Sequence, residues 1–387
     1  MKKIMFLGGL FYDSIIQVGE QKYAQLFRKN GYQVFYLSDF LHPLSFIRRN
    51  PRDKELMEYW RRGIKTSEEG IFYYTPFCFL PYLRFPFFDN LSLAHNCLRF
   101  CYPNLKGLLE MESFTEVDML FINNVKLVSI LKLLEPKKII LRISDRIERF
   151  KNVPKTFGLL KEEISKKSDV VIVTSRNLEE ETRRNNKNVF YVPNGIDRDF
   201  IVKKGRDYLC PKEMEPIKKP IVLYIGAIGD HFDFGSYEYG LSQLRDISFV
   251  MIGPSKGNHY LRLQQFTERY PNFHYLGPKK HEELKDYLYR SDLGVIPFQV
   301  NSMTNEINPV KFFEYVGYGL PVVASDMLEL RNYDGYAFLY RNRNEYLNLI
   351  RELVNKKRLR EKLVDFATKN TWEDRFDFLM AKIESLG

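Results

Sequence analysis

The sequence has few cysteines and lacks a long apolar run. Four cysteines, scattered along 387 residues, exclude a disulfide framework and are typical of a reducing compartment. No uninterrupted apolar stretch reaches the ~18 residues of a spanning helix, so none is predicted. The N-terminal apolar run is short and passes into Tyr12 and Asp13 without a small-residue cleavage site. We therefore interpret it as the first strand of a cytoplasmic protein and not as a signal peptide.

Sequence signals for dinucleotide and metal sites are weak or absent. The paired glycines at 8–9 are too short for the G-x-G-x-x-G fingerprint, although they predict a tight loop at a strand's carboxyl end. His95, Cys97 and Cys101 lie at helical spacing, which favours buried small side chains over a metal cluster. The D-x-D string at 197–199 follows a Pro-Asn-Gly turn beside a predicted linker. We therefore predict no metal ligands in these segments. We also predict a metal-independent protein, because a cationic helix N-terminus, described below, can offset anionic charge without a divalent ion.

The composition is rich in cations and aromatics. Lys and Arg number 59 against 49 Asp and Glu, a formal charge of +10, which implies attraction to anions without identifying them. With 44% hydrophobic residues the chain can build two cores, and two α/β series follow one another. The predicted fold class is α/β with two doubly wound domains. Their bounds are 1–200 and 221–370, with a lysine- and proline-rich linker at 201–220 and a last helix at 371–387.

Basic and aromatic residues are concentrated in one part of the first domain. Large apolar side chains at 44–65 interleave with seven cations, and a proline-broken aromatic stretch follows at 77–88. Such a segment either packs under a loop as core or contacts a lipid surface, and the adjacent cations favour an anionic membrane. The seven cations are Arg48, Arg49, Arg52, Lys54, Arg61, Arg62 and Lys65.

The segment 306–325, EINPVKFFEYVGYGLPVVAS, is the strongest candidate for a binding site. Asn308 is predicted to cap a helix over 308–317, with Pro309 at its first position. A short β-branched strand follows it. Lys311 in the first turn adds a cation to the helix N-terminus, a combination suited to an anionic group.

This segment resembles the nucleotide-sugar site of GT-B glycosyltransferases. Glu306 and Glu314, with seven residues between them, match the spacing of the large retaining family, but Ile-Asn-Pro replaces its usual glycine-rich run. The form NP-x-K-x-x-EY-x-x-x-G-x-PVV is closer to the bacterial exopolysaccharide and teichuronic-acid type, which includes the inverting xanthan glucuronosyltransferase group. The resemblance implies two Rossmann-like domains facing a cleft, with a C-terminal helix that crosses back to the first domain.

The resemblance also implies donor-binding roles for residues of the second domain. Backbone groups within 274–278 would hold the base, and Glu314 would bond the ribose hydroxyls. Lys311 would neutralise the departing diphosphate. The donor-binding residues are then Gly226, Ala227, Ile228, Tyr275, Gly277, Asn308, Pro309, Val310, Lys311 and Glu314.

Transfer with inversion requires a base, and the sequence RISDR resembles the base-bearing loop of the xanthan-type group. Asp145 is therefore the expected base, lying just past a strand's carboxyl end with Arg142 upstream. In a retaining reaction, Glu306 would contact the sugar and Asp145 would be structural. The expected substrates are a uridine-linked sugar donor and a lipid-linked acceptor at the inner face of the plasma membrane, with no nucleic acid. The sequence is also compatible with an epimerase or with a non-catalytic protein that binds anionic polymers.

Overall fold

The structure is a computed structural model, and it describes residues 1–14, 17, 19–48, 50–149, 153–356 and 360–386. Arg49 of the basic stretch lies outside these residues. Within them, no helix is both long and apolar enough to cross a membrane.

The chain forms two compact units whose bounds differ from the predicted ones. Residues 1–193 and 376–387 make the first unit, and residues 194–375 make the second. The predicted linker at 201–220 belongs to the second unit. Its apolar side chains Met214 and Ile217 are buried in that unit's core, and the Val202 N–H donates to Gly317 O at 3.0 Å.

The first unit contains a mainly parallel sheet of eight strands in the order β10-β9-β8-β7-β1-β2-β4-β3, in which only the edge strand β3 is antiparallel. A separate antiparallel pair joins β5 to β6. The strands are β1 Lys3–Leu7, β2 Gln33–Leu37, β3 Lys65–Thr66, β4 Phe72–Tyr74, β5 Phe77–Cys78, β6 Cys101–Tyr102, β7 Glu116–Ile122, β8 Glu135–Ile143, β9 Val170–Val173 and β10 Val189–Tyr191. The helices are α1 Gly19–Lys29, α2 Pro43–Arg48, α3 Pro51–Arg61, α4 Leu91–Ala94, α5 Leu105–Met111, α6 Phe157–Lys167 and α7 Arg176–Thr182.

The carboxyl-terminal halves of β1, β2, β7 and β8 are largely apolar and buried, as expected for strands covered on both faces. Met5 and Leu7 of β1 pack into one core cluster, while Phe6 on the opposite face stacks on Phe121 with ring centroids 4.7 Å apart. The order of strands reverses at β1, which lies between β2 and β7. In open α/β sheets, ligands bind at the carboxyl ends of the strands beside such a reversal.

The second unit has a six-stranded parallel sheet in the order β13-β12-β11-β14-β15-β16. It is doubly wound in the same sense, with the reversal between β11 and β14. Its strands are β11 Ile221–Ile225, β12 Ser248–Ile252, β13 Phe273–Tyr275, β14 Leu293–Ile296, β15 Val322–Ser325 and β16 Ala337–Tyr340. Its helices are α8 Phe234–Gln243, α9 Gly257–Arg269, α10 Leu284–Arg290, α11 Val310–Gly317, α12 Arg343–Leu353 and α13 Arg360–Thr368.

The last helix, α14, spans Trp372–Ser385 and contributes to both units. Its first turn remains with the second unit, where the Trp372 N–H donates to Ile196 O at 3.0 Å. From Phe376 onward it packs in the first unit. There Phe376 contacts Phe27 edge to face at 4.9 Å, and Lys138 Nζ donates to Ile383 O at 2.8 Å.

Candidate functional site

The carboxyl ends of β11 and β12 approach each other closely at two glycines. The Gly226 N–H donates to Ile252 O at 2.9 Å. A Cβ added to Gly253 would lie 1.9 Å from Gly226 O, and both residues have positive φ, +131° at Gly226 and +148° at Gly253. Only glycine fits this geometry without strain. The chain therefore exposes bare backbone at this sheet edge, where a ligand can come close.

Lys311, in the first turn of α11, reaches back over Gly226. Its Nζ donates to Tyr224 Oη at 3.1 Å and lies 4.3 Å and 4.8 Å from the ring centroids of Tyr224 and Phe298. Burial lowers the pKa of the Lys311 ammonium to about 7, and the charge of Glu314 offsets part of this effect. The aromatic rings stabilise the ammonium group by cation–π attraction. Its lowered pKa means that burial disfavours the charged form, a cost that a bound anion would offset.

The loop after β11 is fixed by two side chains that contact one carbonyl. The Tyr224 hydroxyl donates to Ala227 O at 2.7 Å, and His231 Nε2 lies 3.1 Å from the same oxygen. Burial, with a smaller effect from Lys311, lowers the pKa of His231 to about 4. A neutral His231 therefore donates to Ala227 O at neutral pH. His231 was not predicted from the sequence, although it follows the glycine-containing loop by only a few residues.

The predicted cap at Asn308 is wrong. Helix α11 begins at Val310, with Pro309 at the N-cap and no capping bond from that residue's side chain. The carboxamide of Asn308 is instead buried in a network: Nδ2 donates to Glu329 Oε1 at 3.0 Å and to Tyr333 Oη at 2.8 Å. Its Oδ1 accepts the Asn194 N–H at 3.0 Å. Asn308 thus anchors the residues before the helix and does not cap its first turn.

Helix α11 is positioned on the sheet by Tyr315. Its hydroxyl accepts the Ile225 N–H at 2.8 Å, at the end of β11 where pairing with β14 has stopped. Its ring lies against Gly294, where an added Cβ would meet the ring at 2.5 Å. This packing fixes the direction of the helix and therefore the position of Lys311.

The carboxylate of Glu314 is paired with a histidine that was not predicted from the sequence. His281 Nε2 lies 2.7 Å from Glu314 Oε1, and the His281 ring stacks on Phe200 with centroids 4.4 Å apart. Glu314 is only 7% exposed. His281 therefore restricts the rotation of the carboxylate that the resemblance assigns to the ribose.

The other predicted donor-site residues lie along the same sheet edge. Tyr275 Oη donates to Gly253 O at 2.8 Å, and the Gly253 N–H donates to Gly277 O at 3.0 Å. These contacts connect the end of β13 to the close approach of Gly226 and Gly253. Glu306 is 7% exposed in a 3₁₀ turn, Thr304–Glu306, that precedes α11.

In the first unit, Asp145 lies two residues beyond the end of β8 and is partly exposed. The loop that carries it is held by Thr174, whose hydroxyl donates to Ser144 O at 2.8 Å. Arg142 is 4% exposed, and its Nη1 donates to Asn123 Oδ1 at 2.8 Å. The structure therefore places Asp145 at the carboxyl edge of the sheet, as the sequence predicts.

A second carboxylate, Glu20, lies at the carboxyl end of β1. It is 1% exposed and accepts the N–H groups of Gly9 and Leu10 at 3.1 Å and 2.9 Å and the Tyr36 hydroxyl at 2.8 Å. Burial raises the pKa of Glu20, and these bonds together with Arg142 oppose the shift. Glu20 fixes the loop after β1, and no local pattern in the sequence identifies it.

Asp199 of the 197–199 string is exposed and paired: Lys203 Nζ donates to its Oδ1 at 2.9 Å. Among the residues that the structure describes, no group of three or more His, Cys, Asp or Glu side chains is arranged to hold a metal ion.

Comparison with solved structures identifies the fold. Sucrose-phosphate synthase from Thermosynechococcus elongatus aligns over 100% of this chain and 99% of its own, with a TM-score of 0.68 and 15% identity. The Anabaena protein HepE, solved in complex with UDP and glucose, aligns over 100% of both chains with a TM-score of 0.66 and 12% identity. The fold is therefore GT-B, which confirms the expectation from the sequence.

Residues 219–356, which lie within the second unit, match the family model "Glycosyl transferases group 1". A 141-residue stretch is 27% identical to TuaH of Bacillus subtilis (strain 168), a protein named as a glycosyltransferase of teichuronic acid biosynthesis. That match covers 36% of this chain and 34% of TuaH.

Proposed function

We propose that the protein is a glycosyltransferase that moves a sugar from a nucleoside diphosphate donor to a lipid-linked or polysaccharide acceptor in bacterial surface-polysaccharide synthesis. The observation that carries this proposal is the position of Lys311. An ammonium group with a pKa of about 7 lies over bare backbone at Gly226, beside a helix N-terminus. A diphosphate supplies the negative charge that such a site favours.

The remaining residues of the second unit suit the other parts of a nucleotide. Glu314, oriented by His281, would accept hydrogen bonds from the ribose hydroxyls. Backbone groups near Gly277 would hold the base. A uridine diphosphate is the first choice. It is supported by the similarity in fold to HepE, whose structure contains UDP, and by the match to a group 1 domain.

The proposed chemistry is an inverting displacement. The acceptor hydroxyl oxygen attacks the anomeric carbon, Asp145 takes the hydroxyl proton, and the bond from that carbon to the diphosphate breaks. Protonated Lys311 and the first-turn amides of α11 stabilise the charge that accumulates on the leaving diphosphate. We further propose that these groups replace a divalent cation and that transfer is metal-independent.

The proposed acceptor is carried on a lipid, and the proposed location is the inner face of the plasma membrane. The similarity to TuaH supports a role in surface-polysaccharide synthesis, and the exposed basic and aromatic residues of the first unit support the membrane location.

A thermal-shift and calorimetric comparison of uridine, guanosine and thymidine diphosphates tests the donor site. We expect uridine diphosphate to bind and raise the melting temperature, and uridine alone to bind far more weakly. Membranes from a polysaccharide-producing bacterium then supply acceptors, and release of the nucleoside diphosphate from candidate donor sugars measures transfer. Failure of all three diphosphates to bind would contradict the proposal.

A further inference from the structure

We propose that the first unit docks on an anionic lipid bilayer through one surface, the aromatic face. This inference rests on the proposed function, because a lipid-linked acceptor brings the enzyme to a membrane. The aromatic face consists of six exposed apolar side chains on α2, β6 and the segments next to β5 and β6: Phe46, Ile47, Phe79, Leu80, Phe100 and Tyr102, which are 37%, 78%, 53%, 41%, 43% and 61% exposed.

Four members of the aromatic face, Phe46, Phe79, Phe100 and Tyr102, are connected through Phe77 and the pairing of β5 with β6. Ile47 and Leu80 follow Phe46 and Phe79 in the sequence. The Phe77 ring contacts the rings of Phe46 and Phe79 with centroids 5.8 Å and 4.9 Å apart. On the paired strand, Phe77 lies opposite Tyr102, and the Phe79 N–H donates to Phe100 O at 2.9 Å. Apolar side chains that protrude from a rigid, hydrogen-bonded strand pair can enter a bilayer without unfolding the protein.

Trp60 of α3 forms the border of this face. Its ring contacts Phe77 at 5.5 Å, and its Nε1 donates to Tyr102 O at 3.3 Å. Tryptophan with one polar atom satisfied and a broad apolar ring is typical of the boundary between headgroups and acyl chains.

Exposed cations flank the aromatic face. Lys54 and Arg61 lie on α3, the helix that carries Trp60, and Arg99 directly precedes Phe100. Within the described part of the chain, none of these three cations forms an ion pair. A shallow cavity of about 470 Å³ on α3 is lined by Lys54, Met57, Glu58, Arg61 and Arg62, so three of its five lining residues are basic. This arrangement of apolar centre and basic margin complements an anionic leaflet.

Charge also decides between a membrane and a second copy of this chain. A symmetric contact between two aromatic faces would bring Lys54, Arg61 and Arg99 close to the same cations of the other copy. Like charges at such a contact repel. Phosphate headgroups would neutralise them, so we assign the face to lipid.

The aromatic stretch 77–88, which is continuous in the sequence, does not form one surface. Phe77 and Tyr82 are buried, whereas Phe85 and Phe87 project from a separate turn that ends at Asp89. The Asp89 carboxylate accepts the N–H groups of Lys155 and Thr156 at 2.6 Å and 3.1 Å. The aromatic face and the Phe85–Phe87 turn therefore need separate variants in any test.

Co-sedimentation with phosphatidylcholine vesicles, with and without phosphatidylglycerol, measures the proposed docking. We expect binding only to vesicles that contain phosphatidylglycerol, with the electrostatic part weakened by salt. The double variant Phe79→Ser/Phe100→Ser should lower the partition coefficient by about tenfold or more. Lys54→Gln, Arg61→Gln and Arg99→Gln should each lower it by about fivefold at low salt. Leu261→Ser, which changes an exposed apolar residue of the second unit, is the control and should have no effect.

A second measurement reports which surface of the protein meets the lipid. The protein has two tryptophans, and Trp372 is 3% exposed in the second unit. In a Trp372→Phe background, brominated anionic lipid should quench the fluorescence of Trp60 on vesicle binding. Lack of quenching despite binding would overturn the assignment to this face.

Calorimetry with uridine diphosphate on the same preparations separates the two proposals. Protein that binds uridine diphosphate but ignores anionic vesicles at low salt would overturn the membrane inference and leave the proposed function in place. Binding that survives the Phe79→Ser/Phe100→Ser change but is lost in Phe85→Ser/Phe87→Ser would assign docking to the turn and overturn the aromatic face. A dimer in sedimentation velocity that dissociates in Phe79→Ser/Phe100→Ser would overturn the lipid assignment in favour of a second copy.

Discussion

The ammonium group of Lys311 occupies the space where any residue at position 226 other than glycine would place its Cβ. An added Cβ would lie 2.5 Å from Lys311 Nζ. The glycine at the end of β11 and the lysine in the first turn of α11 therefore depend on each other for their positions. Bare backbone permits the cation to approach the sheet edge, and the adjacent rings of Tyr224 and Phe298 hold it there.

Replacement of Lys311 by methionine should weaken diphosphate binding. The variant keeps the apolar stem but removes the cation, and loss of a charge-assisted hydrogen bond costs about 2 kcal/mol, roughly a 30-fold rise in Kd. Calorimetric titration with uridine diphosphate checks this value. Lys356→Met, which removes an exposed cation of the same unit, is the matched control. Equal affinities of wild type and Lys311→Met for every nucleoside diphosphate would disprove the role.

Diphosphate affinity should fall as pH rises above about 7, because the pKa of Lys311 is lowered to about 7 and the bound diphosphate requires the protonated form. The terminal phosphate is already ionised there, so its own titration, with a pKa of about 6, contributes little. Calorimetry across this range should show proton uptake on binding. The dependence of diphosphate affinity on pH should vanish in Lys311→Met. If the dependence persists in that variant, a group other than Lys311 causes it.

The contribution of Lys311 to the free energy of unfolding changes with pH in the opposite direction to its contribution to diphosphate affinity. Its usual pKa of 10.5 is lowered to about 7 in the folded chain, so between these values the unfolded chain binds more protons. The part of the unfolding free energy that arises from Lys311 must therefore increase with pH across this window. Urea unfolding of wild type and Lys311→Met at several pH values, compared as a difference, measures it. A difference that is constant with pH would mean that the ammonium keeps its ordinary pKa.

How much the sequence reveals depends on how local the contacts are. The alternation of apolar strands and helices predicts both sheets, and Lys311 and Glu314 are recognisable because they lie three residues apart in one motif. The cap predicted at Asn308 is wrong because the partners of that residue, Glu329 and Asn194, are 21 and 114 residues away. His281, whose partner Glu314 is 33 residues away, carries no local signal of its role. The segment 201–220 has the composition of a linker and is mostly exposed, but Ile201, Met214 and Ile217 are buried in the core of the second unit and attach the segment to it.

Substitution of Asn308 by alanine should destabilise the second unit. It would remove one hydrogen-bond partner each from the buried Glu329 carboxylate, the Tyr333 hydroxyl and the Asn194 N–H, and a hydrogen bond lost at a buried polar group costs about 1 to 3 kcal/mol. We expect a loss of about 3 kcal/mol in the urea-unfolding transition. Asn355→Ala, at an exposed position, should change it little. An unaltered midpoint in Asn308→Ala would show that the network contributes nothing net.

Substitution of Glu314 by glutamine should reduce discrimination for the ribose hydroxyls. A carboxylate accepts two hydrogen bonds from a diol, whereas an amide presents one acceptor oxygen beside a donor. The affinity ratio of uridine diphosphate to its 2′-deoxy analogue should therefore fall in Glu314→Gln. Loss of diphosphate affinity alone, with the ratio unchanged, would instead place Glu314 in support of Lys311.

Substitution of Asp145 by asparagine should abolish most turnover while uridine diphosphate binding remains intact. In the proposed inverting reaction Asp145 acts only on the acceptor hydroxyl, and loss of a general base typically costs roughly 100- to 10,000-fold in rate. Glu306→Gln should then cost much less, because Glu306 would not take the proton. In a retaining reaction the order is reversed: Glu306→Gln would be the severe variant and Asp145→Asn would remain active. Rates of both variants beside an exposed control, Asp207→Asn, decide between the two mechanisms, and the same assays in excess chelator test whether transfer proceeds without a divalent metal.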